Sequence, residues 1–167
     1  MKPHFWVKMF ASGFGTGYIP FAPGTFGTLV GVAWWAFIYR MSQPLSPALG
    51  YFFFALLLIA TFFAGVGLAT AADRAWETTD SPRIVIDEIL AFPLTMLLMP
   101  INVRTAILCF VLFRVIDIAK PPPIRWLQNL PRGYGVMADD YAAAAYTCIL
   151  AHLVVIFLAP HYFGWAA

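Results

Sequence analysis

Charge falls in three blocks along this chain and is missing in between. Residues 9–39, 41–72 and 141–167 contain no Asp, Glu, Lys or Arg. A helix needs about 20 apolar residues to cross the hydrocarbon core of a bilayer. Residues 49–72, beginning LGYFFFALLL, meet that requirement outright. A second span is predicted over about 142–158, stopped by Pro160, and a third over 26–39 with Thr25 as its cap. The glycine-rich stretch before the third span is free to dip into the interface. Ser81-Pro82 reads as an N-cap and first turn of a helix running to about Met99. Pro100-Ile101-Asn102 is a turn signal. A further helix follows over 103–119, ended by Pro121-Pro122-Pro123. The last two segments make a short central helical hairpin. The expected fold is therefore all-α: a polytopic membrane helix bundle of about five membrane helices, forming one domain over residues 1–167.

Composition supports a bilayer as part of the solvent. The chain is 62% hydrophobic and only 11% charged, against about 25% charged in soluble domains. A net charge of +2 gives nucleic acid no basic patch to bind. Cys109 and Cys148 lie in apolar runs and read as small buried hydrophobes, with no metal-ligand spacing. The N-terminal segment lacks a signal-peptide core and cleavage site. With five helices, Lys2, Lys8, Arg74, Arg83, Arg114, Lys120, Arg125 and Arg132 fall on one face, and Arg40 and Arg104 on the other. That asymmetry puts the first face in the cytoplasm.

All eight acids lie between residues 73 and 140, on that same face: Asp73, Glu77, Asp80, Asp87, Glu88, Asp117, Asp139 and Asp140. Ionisable groups at membrane depth are costly and usually functional. Asp73 and Glu77 are four apart and would share a helix face. Asp87-Glu88 opens one helix, Asp117 ends the next, and Asp139-Asp140 opens the last. Converging carboxylates repel unless a cation joins them, and oxygen-only ligands suit magnesium, manganese or calcium. Magnesium is favoured because it accepts partial protein ligation and pairs with phosphate oxygens. The plain alternative is a set of loop acids paired with nearby arginines; it fits Asp80, a turn residue, best.

Arg114, Asp117 and Lys120 are spaced by three and share a helix face, and both cations suit phosphate. The segment GFGTGYIPFAPGTFG over 13–27 ends at a helix start, where Gly24 and Thr25 could offer backbone N–H groups to phosphate. It lacks the lysine of a nucleotide-binding loop. His4, His152 and His161 stand apart from the acids, and no Gly-x-Ser-x-Gly elbow is present. A carboxylate or a metal-activated water is left to do the chemistry.

Four stretches taken together are specific: GTGYIPFAPGT at 15–25; Asp73 with Glu77; IVIDE at 84–88; and FRVIDIAKP at 113–121, continuing to GVMADD at 135–140. In these the chain resembles the phosphatidylglycerophosphatase A family over roughly residues 13–145. The resemblance implies a magnesium-dependent phosphatase of the bacterial inner (cytoplasmic) membrane, active on the cytoplasmic side, converting phosphatidylglycerophosphate to phosphatidylglycerol. Its partners would be a phospholipid substrate and the membrane. It maps acid function onto Asp87, Glu88, Asp117, Asp139 and Asp140, with Asp73 and Glu77 nearby, and Arg114 and Lys120 match its basic positions. From their placement in the chain, Asp87, Glu88, Asp139 and Asp140, joined by Asp73 and Glu77, are the expected metal ligands; Asp117, with Arg114 and Lys120, is expected at the catalytic centre as orienting group, base or nucleophile; and Gly24, Thr25, Arg114 and Lys120 are expected at the phosphate. Ala91 and Ala144 stand where the family often has glycine, which bears on helix packing rather than on the acids. The competing functions are an ion- or proton-coupled transporter, which leaves Arg114 and Lys120 unexplained, and a non-catalytic membrane subunit, which the clustering of acids opposes. Oligomeric state and the number of metal ions stay open.

Overall fold

The structure, a computed structural model, describes residues 4–158 and 160–163. Lys2, part of the basic asymmetry, lies outside them. Among the described residues all regular structure is helical. In chain order it comprises α1 (Phe5–Ala11), α2 (Pro23–Ser42), α3 (Pro47–Trp76), α4 (Ile86–Thr95), α5 (Val103–Ala119), α6 (Ile124–Leu127), α7 (Gly133–Leu153) and α8 (Pro160–Phe163). A 3-10 turn (Thr16–Tyr18) precedes α2, and a π-helical turn (Val154–Leu158) continues α7.

Proline starts both of the first long helices. Pro23 opens α2 after Ala22, whose backbone is left-handed (φ 46°), and Pro47 opens α3 after an extended Ser46. At those positions a missing N–H costs nothing. Thr25 is therefore not the cap of α2. It lies inside the first turn, where its N–H donates to Ala22 O at 2.9 Å. Helix α5 matches its expected bounds, and Asn102 explains its start: the side-chain oxygen accepts from Thr105 N at 3.0 Å, and its amide donates to Phe163 O at 2.7 Å.

The expected helix over 82–99 shrinks to the ten residues of α4. Residues 81–84 close a turn instead (Ile84 N to Ser81 O, 2.9 Å), and Val85 N donates to Ala11 O at 3.0 Å. At the other end Pro93 lacks a donor, and the chain tightens into i→i−3 bonds at Met96, Leu97 and Met99, with Leu98 left-handed. The final helix departs in the other direction. It begins at Gly133, about nine residues earlier than expected, so Asp139-Asp140 lies in its second turn rather than opening it.

Short α4 is the centre of the bundle, packed against α2, α3, α5 and α7. Phe92 and Phe113 are fully buried where α4 and α5 supply the core, joined by Trp35, Cys109 and Ala151. Ala91 and Ala144 are both fully buried in this core, as expected of residues set at helix contacts. Small residues bring the backbones close. A side chain at Gly31 would meet Phe92 Cβ at 2.8 Å, and one at Gly65 would meet Met137 Sδ at 2.5 Å.

Helices α3 (with 30 residues) and α7 with its π extension (Gly133–Phe157) are long and apolar enough to cross a membrane. Their apolar windows are mostly unburied by the rest of the chain, leaving Phe52, Ile59, Phe63, Ile149 and Phe157 exposed. Bare apolar surface of this extent marks an interaction face and is compatible with a bilayer around the two helices.

A candidate carboxylate and phosphate site

Five chain segments end together at one end of the bundle. They are the start of α2, the loop after α3, the start of α4, the end of α5 and the early turns of α7. They enclose a pocket of about 330 Å³ whose walls include Ala22, Gly24, Asp87, Glu88, Arg114, Asp117, Lys120, Asp139 and Asp140.

The glycine-rich segment earns its composition chiefly by supporting α4. At Gly17 a Cβ would run into the Arg83 carbonyl, and at Gly13 (φ 54°) it would meet Ile89 Cδ1 at 2.6 Å. The loop can therefore lie under residues 83–89 and set the position of Asp87 and Glu88. Only its end reaches the pocket. Gly24 presses on the site so closely that a Cβ would collide with Glu88 Oε1 and lie 3.2 Å from both terminal nitrogens of Arg114. Thr25 is one residue beyond that wall.

The acids sort by partner. Arg114 Nη1 donates to Asp117 Oδ2 at 2.8 Å and lies 3.8 Å from Glu88 Oε1. Lys120 Nζ donates to Asp139 Oδ2 at 2.5 Å and lies 3.9 Å from Asp117 Oδ1. Burial opposes the Lys120 charge, but the hydrogen bond and the field of Asp139, with Asp117 and Asp140 behind, outweigh it and hold its pKa above the ordinary lysine value. This residue stays cationic.

Asp87, Glu88 and Asp140 are different. One carboxylate oxygen of each falls within 4.8 Å of the others. Asp87 Oδ1, Glu88 Oε2 and Asp140 Oδ2 are buried with no protein partner, and so is Arg114 Nε. Buried unpaired carboxylate oxygens cost several kcal/mol each unless something pairs them. Asp87, Glu88, Asp117, Asp139 and Asp140 face Arg114 and Lys120 here, leaving three negative charges uncompensated when all are ionised, even before exposed Asp80 in the wall is counted. An all-oxygen donor set with orphaned acceptors fits a hard divalent cation, and an orphaned guanidinium N–H fits an anion's oxygen.

Asp73 and Glu77 are not brought into this group. Glu77 is an exposed, left-handed residue just past α3 (φ 56°), so it does not share a helix face with Asp73. Asp73 accepts from the backbone N–H of Asp80 and Ser81 at 3.1 and 3.2 Å. It ties down the loop whose residues 80–82 form one pocket wall. Sequence reasoning missed Thr28, which is fully buried. Its hydroxyl donates to Gly24 O at 2.8 Å and accepts from Arg114 Nη1 at 3.4 Å. Its spacing from Gly24, one helical turn, was the available signal. His4 and His152 do not line the pocket, and Cys109 is fully buried with its thiol near Thr95 O.

Comparison with known proteins fits this geometry. Residues 9–155 match the family model for phosphatidylglycerophosphatase A. The chain is 36% identical over 152 residues to a Bacteroides thetaiotaomicron protein provisionally named a phosphatidylinositol-3-phosphatase, covering 89% of this chain and 93% of that one. It is 30% identical over 156 residues to phosphatidylglycerophosphatase A of Escherichia coli (92% and 84% covered). It is 32% identical over 146 residues to the Haemophilus influenzae protein of the same name (86% and 85% covered). No solved structure matches significantly. The chain belongs to the phosphatidylglycerophosphatase A family, a family of phosphoric monoester hydrolases.

Proposed function

We propose that this protein is a magnesium-dependent lipid phosphatase that releases phosphate from phosphatidylglycerophosphate to give phosphatidylglycerol. It would work at the cytoplasmic face of the bacterial inner membrane. One observation carries the reading: three orphaned carboxylate oxygens and an orphaned arginine N–H share one buried pocket. A phosphomonoester dianion would be repelled by the uncompensated acids alone; a divalent cation would cut that excess from three charges to one and give the phosphate oxygens a direct positive partner.

Phosphoryl transfer is dominated by positioning and charge stabilisation. Asp87, Glu88 and Asp140 would hold the cation. When bound, magnesium would supply positive charge to the phosphoryl oxygens. Arg114 would take another oxygen through its fork, held from behind by Asp117 and Thr28. Lys120, anchored by Asp139, would add a second fixed positive charge. Both oxygens of Asp117 face these cations, which favours a positioning role for it over that of nucleophile. Gly24 and the start of α2 would let the phosphate approach backbone N–H groups. No feature of the site favours transport.

The test is phosphate release by purified protein in detergent. Turnover should vanish on chelation and return with magnesium. Full turnover after exhaustive chelation would remove the metal from the reading, and no release with magnesium would remove the activity. The name of the Bacteroides relative favours a second substrate, a 3-phosphorylated inositol lipid, hydrolysed by the same site; assaying both lipids side by side decides between them.

The membrane placement is also a proposal. Besides α3 and α7, we take α2 (with 20 residues) and α5 (with 17) as crossing. The segment 86–101 reaches the far end only through α4 plus its tail, a reading supported by residues 96–101 lining one cavity with Tyr39, Ser42 and Pro47. Single cysteines near residues 80 and 130, in a chain lacking Cys109 and Cys148, should label from the cytoplasm, and one near 102 from the opposite side. Labelling of 80 and 130 from opposite faces would break the one-site arrangement.

A further inference from the structure

We propose that an apolar groove between α2 and α5 seats one acyl chain of the lipid whose phosphate enters the carboxylate pocket. The inference rests on the lipid-phosphatase reading and specifies how the lipid lies in the site.

The two helices run antiparallel. At one end both face the pocket, through Ala22 and Gly24 of α2 and Arg114 and Asp117 of α5. The Arg114 contact to Thr28 at 3.4 Å forms the seam at the pocket floor. One turn further along, a groove of about 480 Å³ opens, lined by Leu29, Val32 and Ala36 on one side and Ala106, Ile107 and Phe110 on the other. Polar pocket and apolar groove therefore follow one another along the same helix pair.

The dimensions suit an acyl chain. At 1.5 Å per residue, Leu29 stands about 7 Å beyond Gly24, and Tyr39 about 22 Å. The groove thus covers about 15 Å of depth, from about 7 to about 22 Å beyond Gly24, and so crosses the middle of the roughly 30 Å hydrocarbon core, within the reach of one extended acyl chain. It begins at an offset from the phosphate that leaves room for a glycerol backbone. Ala36 and Ala106 supply the hollow: larger side chains at either place would fill it. Ala36 is exposed and Ala106 half-buried, so the groove opens sideways to the bilayer, from which a lipid enters without leaving the membrane. An acyl chain gains little hydrophobic free energy by moving from bilayer to groove, since lipid tails are already apolar. Its contribution is alignment of the head group with Arg114, through packing.

Two measurements test this on the whole protein in lipid nanodiscs. The first compares phosphatidylglycerophosphate and phosphatidylcholine carrying the same photoactivatable acyl chain. The expected result is cross-linking to α2 and α5 peptides around Val32, Ala36 and Phe110 by the lipid phosphate, suppressed by unlabelled lipid phosphate. Equal labelling by both probes means ordinary boundary lipid and overturns the proposal. An unlabelled groove covered by a second copy, seen as an α2–α5 inter-chain cross-link, overturns it too. The second is Ala36→Phe, with Ala106→Leu as its partner variant. The ratio of kcat/KM for long-chain over short-chain lipid phosphate should fall about threefold to tenfold, equivalent to roughly 0.6–1.4 kcal/mol. Ala60→Phe, at an exposed site on α3, should leave that ratio unchanged. An unchanged ratio in both groove variants overturns the groove while the phosphatase stands. Cross-linking without hydrolysis by the wild-type protein would instead sink the phosphatase reading and keep the groove.

Discussion

The end of α3 and the start of α4 each carry two acids within five residues, and the two regions use them oppositely. Asp73 spends both carboxylate oxygens on backbone donors of the next loop, and Glu77 points into solvent. Asp87 and Glu88 each bury an oxygen that no protein group answers. Residue type does not separate these regions; the availability of local donors does. A carboxylate beside a turn with free N–H groups is satisfied by the chain itself and becomes structural. A carboxylate set on a helix that is walled in by α2, α5 and α7 keeps at least one oxygen unpaired, and that oxygen is open to a ligand. The contrast also separates the two acids of the α7 pair, where Asp139 is answered by Lys120 and Asp140 is left open.

The most severe way to break this comparison is to neutralise the unanswered acids. Asp87→Asn and Asp140→Asn keep shape and remove charge. Turnover is expected to fall by about 10²-fold or more, with the magnesium requirement shifted to higher concentration, since even groups that only orient metal ligands are worth about 10–100-fold. Steady-state kinetics against magnesium concentration measures both. Wild-type rate and magnesium response in the folded variants would mean that the orphaned oxygens are not the metal site.

Gly24→Ala probes the same pocket without touching a charge. The new methyl would displace Glu88 Oε1 and crowd Arg114. A shift of about 1 Å in such groups can cost about 10²-fold in rate, so a loss of about 10- to 100-fold in kcat is expected, with melting temperature nearly unchanged. The assay is turnover at saturating magnesium beside a thermal melt. Unchanged turnover would remove α2 from the site.

Much of this was legible in the sequence, and the remainder failed for physical reasons. The charge-free block at 41–72 gave α3 to within two residues at its start and four at its end, and the turn at Pro100-Ile101-Asn102 with the stop at Pro121-Pro122-Pro123 gave α5 to the residue. The meeting of Arg114, Asp117, Lys120, Asp87, Glu88 and Asp140 followed from the expected up-and-down order of helices. The ends of α4 did not follow: Pro82 looked like a first turn, but the segment before Ile86 is held by Ala11 in a distant helix, a partner no local pattern names. Thr25 had the chemistry of a cap, yet Pro23 begins α2 two residues earlier, because a proline after a left-handed residue starts a helix without a side-chain cap. Asp73 was drawn toward the metal by type and spacing alone, and only the position of the 78–81 turn shows what occupies it.

The finest test compares the two acids of the first region, one answered by the chain and one in solvent, with each other. Asp73→Asn leaves one side-chain oxygen to accept, so one of the two bonds to Asp80 N and Ser81 N should be lost. A hydrogen bond to a charged group contributes about 1.5–3 kcal/mol, and a neutral replacement keeps part of it; a net loss of about 1–2 kcal/mol is expected. For a chain of this size each kcal/mol corresponds to about 2–4 °C in melting temperature, so the melt should move down by several degrees in detergent. Turnover should fall only severalfold, through loosening of the loop wall at Asp80 and Ser81, and the magnesium midpoint should stay where it is. Glu77→Gln removes a charge of the same sign only four residues away, and it should change neither melt nor turnover by more than about the ±0.5 kcal/mol typical of surface substitutions. A magnesium midpoint that moves in Asp73→Asn as it does in Asp87→Asn would return Asp73 to the metal site and erase the distinction between the two regions.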